Sequence, residues 1–265
     1  MKDNSYQALD QEIKNLLDKW GANLGAPTCY QGCSGCCQAP MASAAEGIRL
    51  LDFIDLQSKD IQNEFHATVS KYVTSLKYSL RNPDGSVTGG DDATFKAIEL
   101  GGCPFLEGHV CGIYEARPNA CRAVHVWHEN KYCGCAAGGA RVPAELIALR
   151  NRYFWSLVEE EVEQGRYPFF GQLQVVLFYL HHYRDAYTGG TECSGIIDPL
   201  WMQSGLIGFP YPNAAVTLAD VTGHIERQKK EESLQFKQSQ PFGLPKATNA
   251  KSKEGLYAGI IFPVL

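Results

Sequence analysis

Basic residues are the minority charge in this chain. Its 24 Lys and Arg are set against 29 Asp and Glu, a formal net charge of −5. That balance argues against a general nucleic-acid or anionic-membrane binder. Lys229 and Lys230 form the only obvious basic cluster, and Glu231 and Glu232 follow at once. Long hydrophobic runs are also missing. The most apolar stretch, Leu173 to Leu180, is too short to cross a bilayer and is interrupted by Gln174. The opening residues MKDNSYQALDQEIKN hold no apolar secretory core. A cytoplasmic location is expected, where thiols stay reduced and a disulfide framework is disfavoured. Several catalytic signatures are absent as well: the Gly-x-Ser-x-Gly elbow, the Walker loop, His-Glu-x-x-His and the Glu-x-x-His di-iron pair. The acidic run Glu159-Glu160-Glu161 reads as a solvated helix face.

What remains is ample for a core. The 265 residues are 45% hydrophobic and 11% aromatic, enough for one large domain with additions. Periodicity predicts a mainly α fold, an irregular helical domain with one small hairpin. Leu9, Ile13, Leu16, Leu17 and Trp20 share one helical face. Ser43 and Glu46 form a capping-box pattern ahead of Ile48, Leu51 and Ile54. Ile61, Phe65, Val69, Tyr72, Val73, Leu76 and Leu80 outline a long amphipathic helix that ends near Asn82-Pro83, and residues 83–93 read as a polar loop. Pro143 stands where a helix would start, with Leu146, Leu149, Tyr153 and Leu157 on one side. Leu173, Val176, Leu177 and Leu180 mark another helix. From Gly189 onward the signal fades into loops, 224–256 reads as a polar arm, and the final LYAGIIFPVL reads as docking back. The expected division is therefore a helical domain over 1–188 and a partly irregular extension over 189–265 packed on it.

The chemistry lies in sulfur. Nine of ten cysteines fall in two windows. Cys29, Cys33, Cys36 and Cys37 are written C-YQG-C-SG-CC. Cys103, Cys111 and Cys121 lie in CPFLEGHVCGIYEARPNACR, and Cys133 and Cys135 follow in YCGCA. Inert core cysteines have no reason to gather in this way, since a buried Cys packs like any small apolar residue. Thiolates are soft metal ligands, and Cys33-x-x-Cys36 lets two of them grip one ion from a tight turn made pliant by Ser34-Gly35. One zinc ion or one cubane cluster needs four protein ligands. Seven are present in the two knots. They allow one site with spare thiols, two sites completed by Cys133 and Cys135 or by His125 and His128, or a bridged polynuclear site. Thiolates around a metal leave net negative charge, which Arg117 and Arg122 beside Cys121 could offset by N–H to sulfur contacts or, equally, answer with ordinary salt bridges to Glu115 or Asp residues. In the second window CPFL and CGIY flank Glu107-Gly108, which predicts the hairpin. Arg117-Pro118 then opens a turn or short helix carrying Cys121. His181-His182 reads as a helix-face coincidence, and Cys193 as a core cysteine.

On these residues the chain resembles the CxxCxxCC cysteine-cluster family of YkgJ-type zinc- or iron-chelating proteins, which include flagellin lysine N-methylases. The match rests on Cys29, Cys33, Cys36 and Cys37, then Cys103-Pro104-Phe105-Leu106, Cys111-Gly112-Ile113-Tyr114, Arg117-Pro118 and Cys121-Arg122. The first gap is three residues where two are commoner. The resemblance implies metal or iron–sulfur binding through these seven cysteines, with a helical fold built around the ligated centre. The expected cofactor is an iron–sulfur cluster of the 4Fe–4S type, with a zinc or iron ion as the alternative.

Three functions follow, with no catalytic residue assigned. An iron–sulfur modification enzyme is one, since Cys29-x3-Cys33-x2-Cys36 has the spacing of a radical cluster motif. Gly35 stands where an aromatic residue normally precedes the last cysteine there, and no barrel pattern accompanies it. A chelating, storage or sensing protein is the second. The third is a methyltransferase acting on a protein lysine with S-adenosylmethionine, for which no Gly-rich nucleotide loop is seen. A metal ion is the expected partner, joined by a protein substrate or partner, with no nucleic acid and no membrane.

Overall fold

The computed structural model of the chain describes residues 4–24, 37, 40–101, 103–108, 110–123, 144–192, 196–210, 219–220, 222–227 and 230. Those residues are mainly helical. Helix α1 (Asn4–Leu24) is followed by strand β1 (Met41–Ser43), α2 (Ala44–Asp55), α3 (Lys59–Ser79) and α4 (Gly90–Glu99). The hairpin β2 (Leu106–Glu107) and β3 (Val110–Cys111) leads through a 3-10 turn (Tyr114–Ala116) into the short α5 (Asn119–Arg122). Helix α6 (Ala144–Glu163), β4 (Phe170–Gln172), α7 (Leu173–Thr188), α8 (Pro199–Gln203) and β5 (Ile207–Gly208) complete the order.

Local signals explain the main boundaries. Ser43 caps α2, its hydroxyl accepting from the Glu46 amide while the Glu46 carboxyl accepts from the Ser43 amide, the reciprocal box expected from the sequence. Ser58 caps α3. The apolar stripe of α3 is buried at Phe65, Val69, Tyr72, Val73 and Leu76, but Ile61 in its first turn is 48% exposed, where Gln62 turns inward instead. Along α7, Leu173, Val176, Leu177 and Leu180 are buried as the 3.6-residue period requires.

Helix α7 is the centre of the body, packed against α2 and α3. Gly47 lets α2 approach closely: a Cβ there would lie 2.5 Å from Leu180 Cδ1. Strands β1, β4 and β5 form an antiparallel sheet with β4 in the middle, pairing Met41 with Gln172 and Phe170 with Gly208. These elements and α8 share the main core, in which each fully buried Leu contributes roughly 1.5–3 kcal/mol. A second, smaller cluster joins Tyr6, Leu9 and Ile13 of α1 to Leu146 and Leu149 of α6 and to Ala123.

Three sequence expectations are corrected. The loop over 83–93 ends at Gly89, and α4 begins at Gly90 with Asp91 and Asp92 in its first turn and Ala93 and Ala97 buried. Acidic residues that read as loop polarity are in fact favourable at a helix N-terminus. Beyond Gly189, α8 and β5 are ordered elements too short to show a period, and Trp201, Ile207 and Ile225 are buried in the main core. Glu161 is not solvated: it is 1% exposed, on the inner side of α6. The final LYAGIIFPVL and most of 224–256 lie outside the described residues. No described helix is long and apolar enough to cross a membrane.

Candidate metal centre

The second cysteine window folds as its turn chemistry dictates. Leu106 pairs with Cys111 and Glu107 with Val110, and Gly108 takes the left-handed φ of 61° that the tight reversal needs. The Gly112 amide donates to Phe105 O at 2.8 Å and the Leu106 amide to Cys103 O at 3.2 Å. Phe105, stacked on Phe65 with centroids 5.0 Å apart, and buried Ile113 anchor the hairpin on the main core. Cys103 and Cys111 are half-buried and pack against that core. Near Cys103 lies Tyr72, whose hydroxyl donates to Ala97 O at 2.7 Å and accepts from Gln172 Nε2 at 2.6 Å. Burial pushes the Tyr72 phenol up to about 12; the Gln172 hydrogen bond opposes this and Cys103 adds to it.

Cys121 is held differently. Pro118 precedes α5 with extended geometry, so the helix starts abruptly at Asn119. The buried Asn119 amide donates to Glu46 Oε1, and its side chain donates to Arg150 O at 2.9 Å. The same Glu46 carboxyl accepts from the Ser43 amide at 2.8 Å, the Ser43 hydroxyl at 2.9 Å and the Tyr6 hydroxyl at 3.3 Å. One carboxyl thus ties α1, α2 and the start of α5 together. Arg122, 4% exposed, places Nη1 2.6 Å from Asp10 Oδ2 on α1 and donates Nε to Arg117 O at 2.9 Å and Nη2 to Glu115 O. Its guanidinium lies 4.7 Å from the Tyr6 ring centroid, with Arg49 at 3.5 Å from the same ring. The Tyr6 phenol is held well above its ordinary value by burial and then by Glu46, with both arginines opposing. Arg117 sits over the Tyr114 ring at 3.8 Å. The contacts of Arg122 are therefore to oxygen and to an aromatic face.

The first window enters the described residues at Cys37 and again at Pro40. Pro40 O accepts from the Leu173 amide at 2.8 Å, which fixes the exit of that window beside α7. Strand β1 starts four residues after Cys37 and packs against α5, which carries Cys121. Cys37, Cys103, Cys111 and Cys121 are half-buried thiols, not disulfides, a donor set that suits zinc or iron. Among the described residues no three His, Cys, Asp or Glu side chains are arranged to hold a metal ion. Cys29, Cys33, Cys36, Cys133, Cys135, His125, His128 and Cys193 lie outside those residues.

The supports for Cys121 are what the sequence concealed. Glu46 was legible as a helix cap, but nothing local to it indicated that the other carboxylate oxygen would meet a backbone amide 73 positions away. Asp10, the partner of Arg122, is one acid among several on α1, and its role depends on how α1 lies across α5.

Residues 28–137 match the family model CxxCxxCC, described as a putative zinc- or iron-chelating domain. All nine clustered cysteines fall within the matched span. No curated protein and no solved structure matches the chain. Over those residues the likeness expected from the sequence is met.

Proposed function

We propose that this protein binds metal through its clustered thiolates and holds it as an iron–sulfur cluster, with Cys29, Cys33, Cys36 and Cys37 supplying one part of the ligand set and Cys103, Cys111 and Cys121 the other. Cys133 and Cys135 supply further ligands, and Arg117 tempers the charge near Cys121, while Arg122 is committed to Asp10 and to backbone oxygens that hold the Cys121 segment. The observation that carries this reading is the contact between β1, entered just after Cys37, and α5, which bears Cys121. It sets the segment that follows Cys37 against the short helix that carries Cys121, far apart in sequence. The family match over 28–137 supports zinc or iron as the metal. The half-buried setting of Cys103 and Cys111 against apolar side chains supports a centre shielded from water, where thiolates need a cation to remain charged.

Protein purified without oxygen is expected to absorb broadly near ~400 nm and to contain iron and inorganic sulfide. Colourless protein with about one or two zinc ions would replace the cluster by a zinc site and leave the chelating role intact. Cys121→Ser and Cys33→Ser are each expected to lower metal content and thermal stability together. Unchanged metal in both variants would remove the proposed ligand set.

A further inference from the structure

A cavity of about 500 Å³ opens between α1, α2, the 3-10 turn and the C-terminal end of α6, a volume suited to a small metabolite. Its inner wall is built by the way α6 stops. The Gly165 amide donates to Val162 O and the Arg166 amide to Glu161 O, both at 2.9 Å, with Gly165 at φ 74°. This is the paired reversal that closes many helices, and it sets the residue three before the cap beside the second residue after it. Glu161 and Arg166 consequently face the same space.

Each side chain leaves one polar atom unpartnered. Glu161 is 1% exposed; its Oε1 accepts from the Tyr187 hydroxyl, while Oε2 has no hydrogen-bond partner. Arg166 Nε is also buried without a partner. Polar atoms left in this state cost stability unless something completes them. Of the cavity's other charged groups, Glu115 adds a carboxylate on the 3-10 turn and the rest have local partners. Asp10 pairs with Arg122, Asp52 with Arg184, Glu160 accepts from Gln164, and Arg49 covers the Tyr6 ring. Around Glu161 stand Tyr187 of α7, Glu46 of α2, and Glu160 and Arg166 of its own segment. Burial raises its carboxyl to about 8, the Tyr187 hydrogen bond and Arg166 oppose, and Glu46 and Glu160 add to the rise. At neutral pH the group therefore keeps its proton and, like Arg166 Nε, offers a donor.

We propose that this cavity binds a small organic oxyanion, two of whose carboxylate or phosphate oxygens accept from Glu161 Oε2 and Arg166 Nε. Two donors on one wall match the two oxygens of either group, and a guanidinium N–H to an oxyanion is a strong hydrogen bond. The site uses no thiol, although Arg122, the neighbour of Cys121, also lines this cavity.

The test is calorimetric titration of the full chain with succinate and, separately, with inorganic phosphate near neutral pH. Binding of either supports the proposal, and the tighter one identifies the acid group. Arg166→Gln is expected to weaken binding by about tenfold or more. Affinity of the native chain should fall as pH rises past about 8, while Glu161→Gln, which keeps an N–H donor, should bind with a flatter pH profile. Metal content measured alongside should be the same in both variants. The proposal is overturned if neither anion binds up to about 20 mM, if Arg166→Gln binds as the native chain does, or if a diamine such as putrescine binds instead and tightens as pH rises.

Discussion

The main core and the cluster beneath α1 are held by different physics. Around α7 the contacts are almost wholly aliphatic and aromatic, with Leu50, Leu76, Leu80, Leu173 and Leu177 each fully buried. Beneath α1, six buried side chains meet at the surface of α6, and much of the attachment is polar: Glu46 to Asn119, Asp10 to Arg122, Arg152 to Glu12. The hairpin with Cys103 and Cys111 leans on the first region, whereas Cys121 is held by the second. Apolar packing is tolerant and strong in sum. Directed hydrogen bonds to buried groups are specific, and each is costly to break. A ligand set drawn from both regions would bolt the smaller to the larger.

The largest effect should come from the main core. Trp201 on α8 is 1% exposed, and its side chain hydrogen-bonds the Tyr179 hydroxyl. Trp201→Ala is expected to cost about 3–5 kcal/mol in urea unfolding, with hydrogen exchange accelerated throughout α2, α3 and α7. A loss confined to α8 and β5 would mean that residues beyond Gly189 merely cover a core complete without them.

Next comes Glu46. Its removal leaves the buried amide of Asn119 and the hydroxyls of Ser43 and Tyr6 without this acceptor, and it dismantles the cap of α2. Glu46→Ala should cost about 3 kcal/mol, less than Trp201→Ala but differently placed. Exchange should rise at α5 and α1 first, and the Cys121 thiol should react faster with a thiol reagent. Equal protection at α5 in variant and native protein would show that the apolar cluster alone holds that helix.

The contrast also explains what could be read from the chain. Long periodic helices, the Ser43–Glu46 cap and the Glu107-Gly108 hairpin were legible because each is specified within a few residues. The three-stranded sheet was not, since two- and three-residue strands carry no period. Glu161 sits in a run of three acids, and composition favours a solvated face. Its burial follows from the rotation of α6 against α2 and from Tyr187 on α7, which no local window contains. The same holds for the candidate centre: the cysteines announce themselves by spacing, but the contact of β1 with α5 is a property of the assembled fold.

The smallest effect belongs to pH and lies on the seam of α3 and α7. His66 stacks on His181 with ring centroids 3.6 Å apart, and His182 follows at 5.0 Å from His181. Burial lowers both His66 and His181 from 6.5; His182 lowers both further, His66 also lowers His181, and Asp55 opposes. The folded pair therefore favours the neutral form. Its contribution is fully present above the ordinary histidine value and is lost as pH falls through 6.5 toward the lowered folded values, because the unfolded chain takes up protons first. His66 is half-buried and His181 exposed, so water screens the effect and less than about 1 kcal/mol is expected. Thermal melts should show a modest fall in Tm between about pH 7 and 5. In His66→Phe, which keeps an aromatic ring in the stack, that fall should shrink. An unchanged slope would place the titrating group elsewhere and leave the seam, like the rest of the main core, held by packing alone.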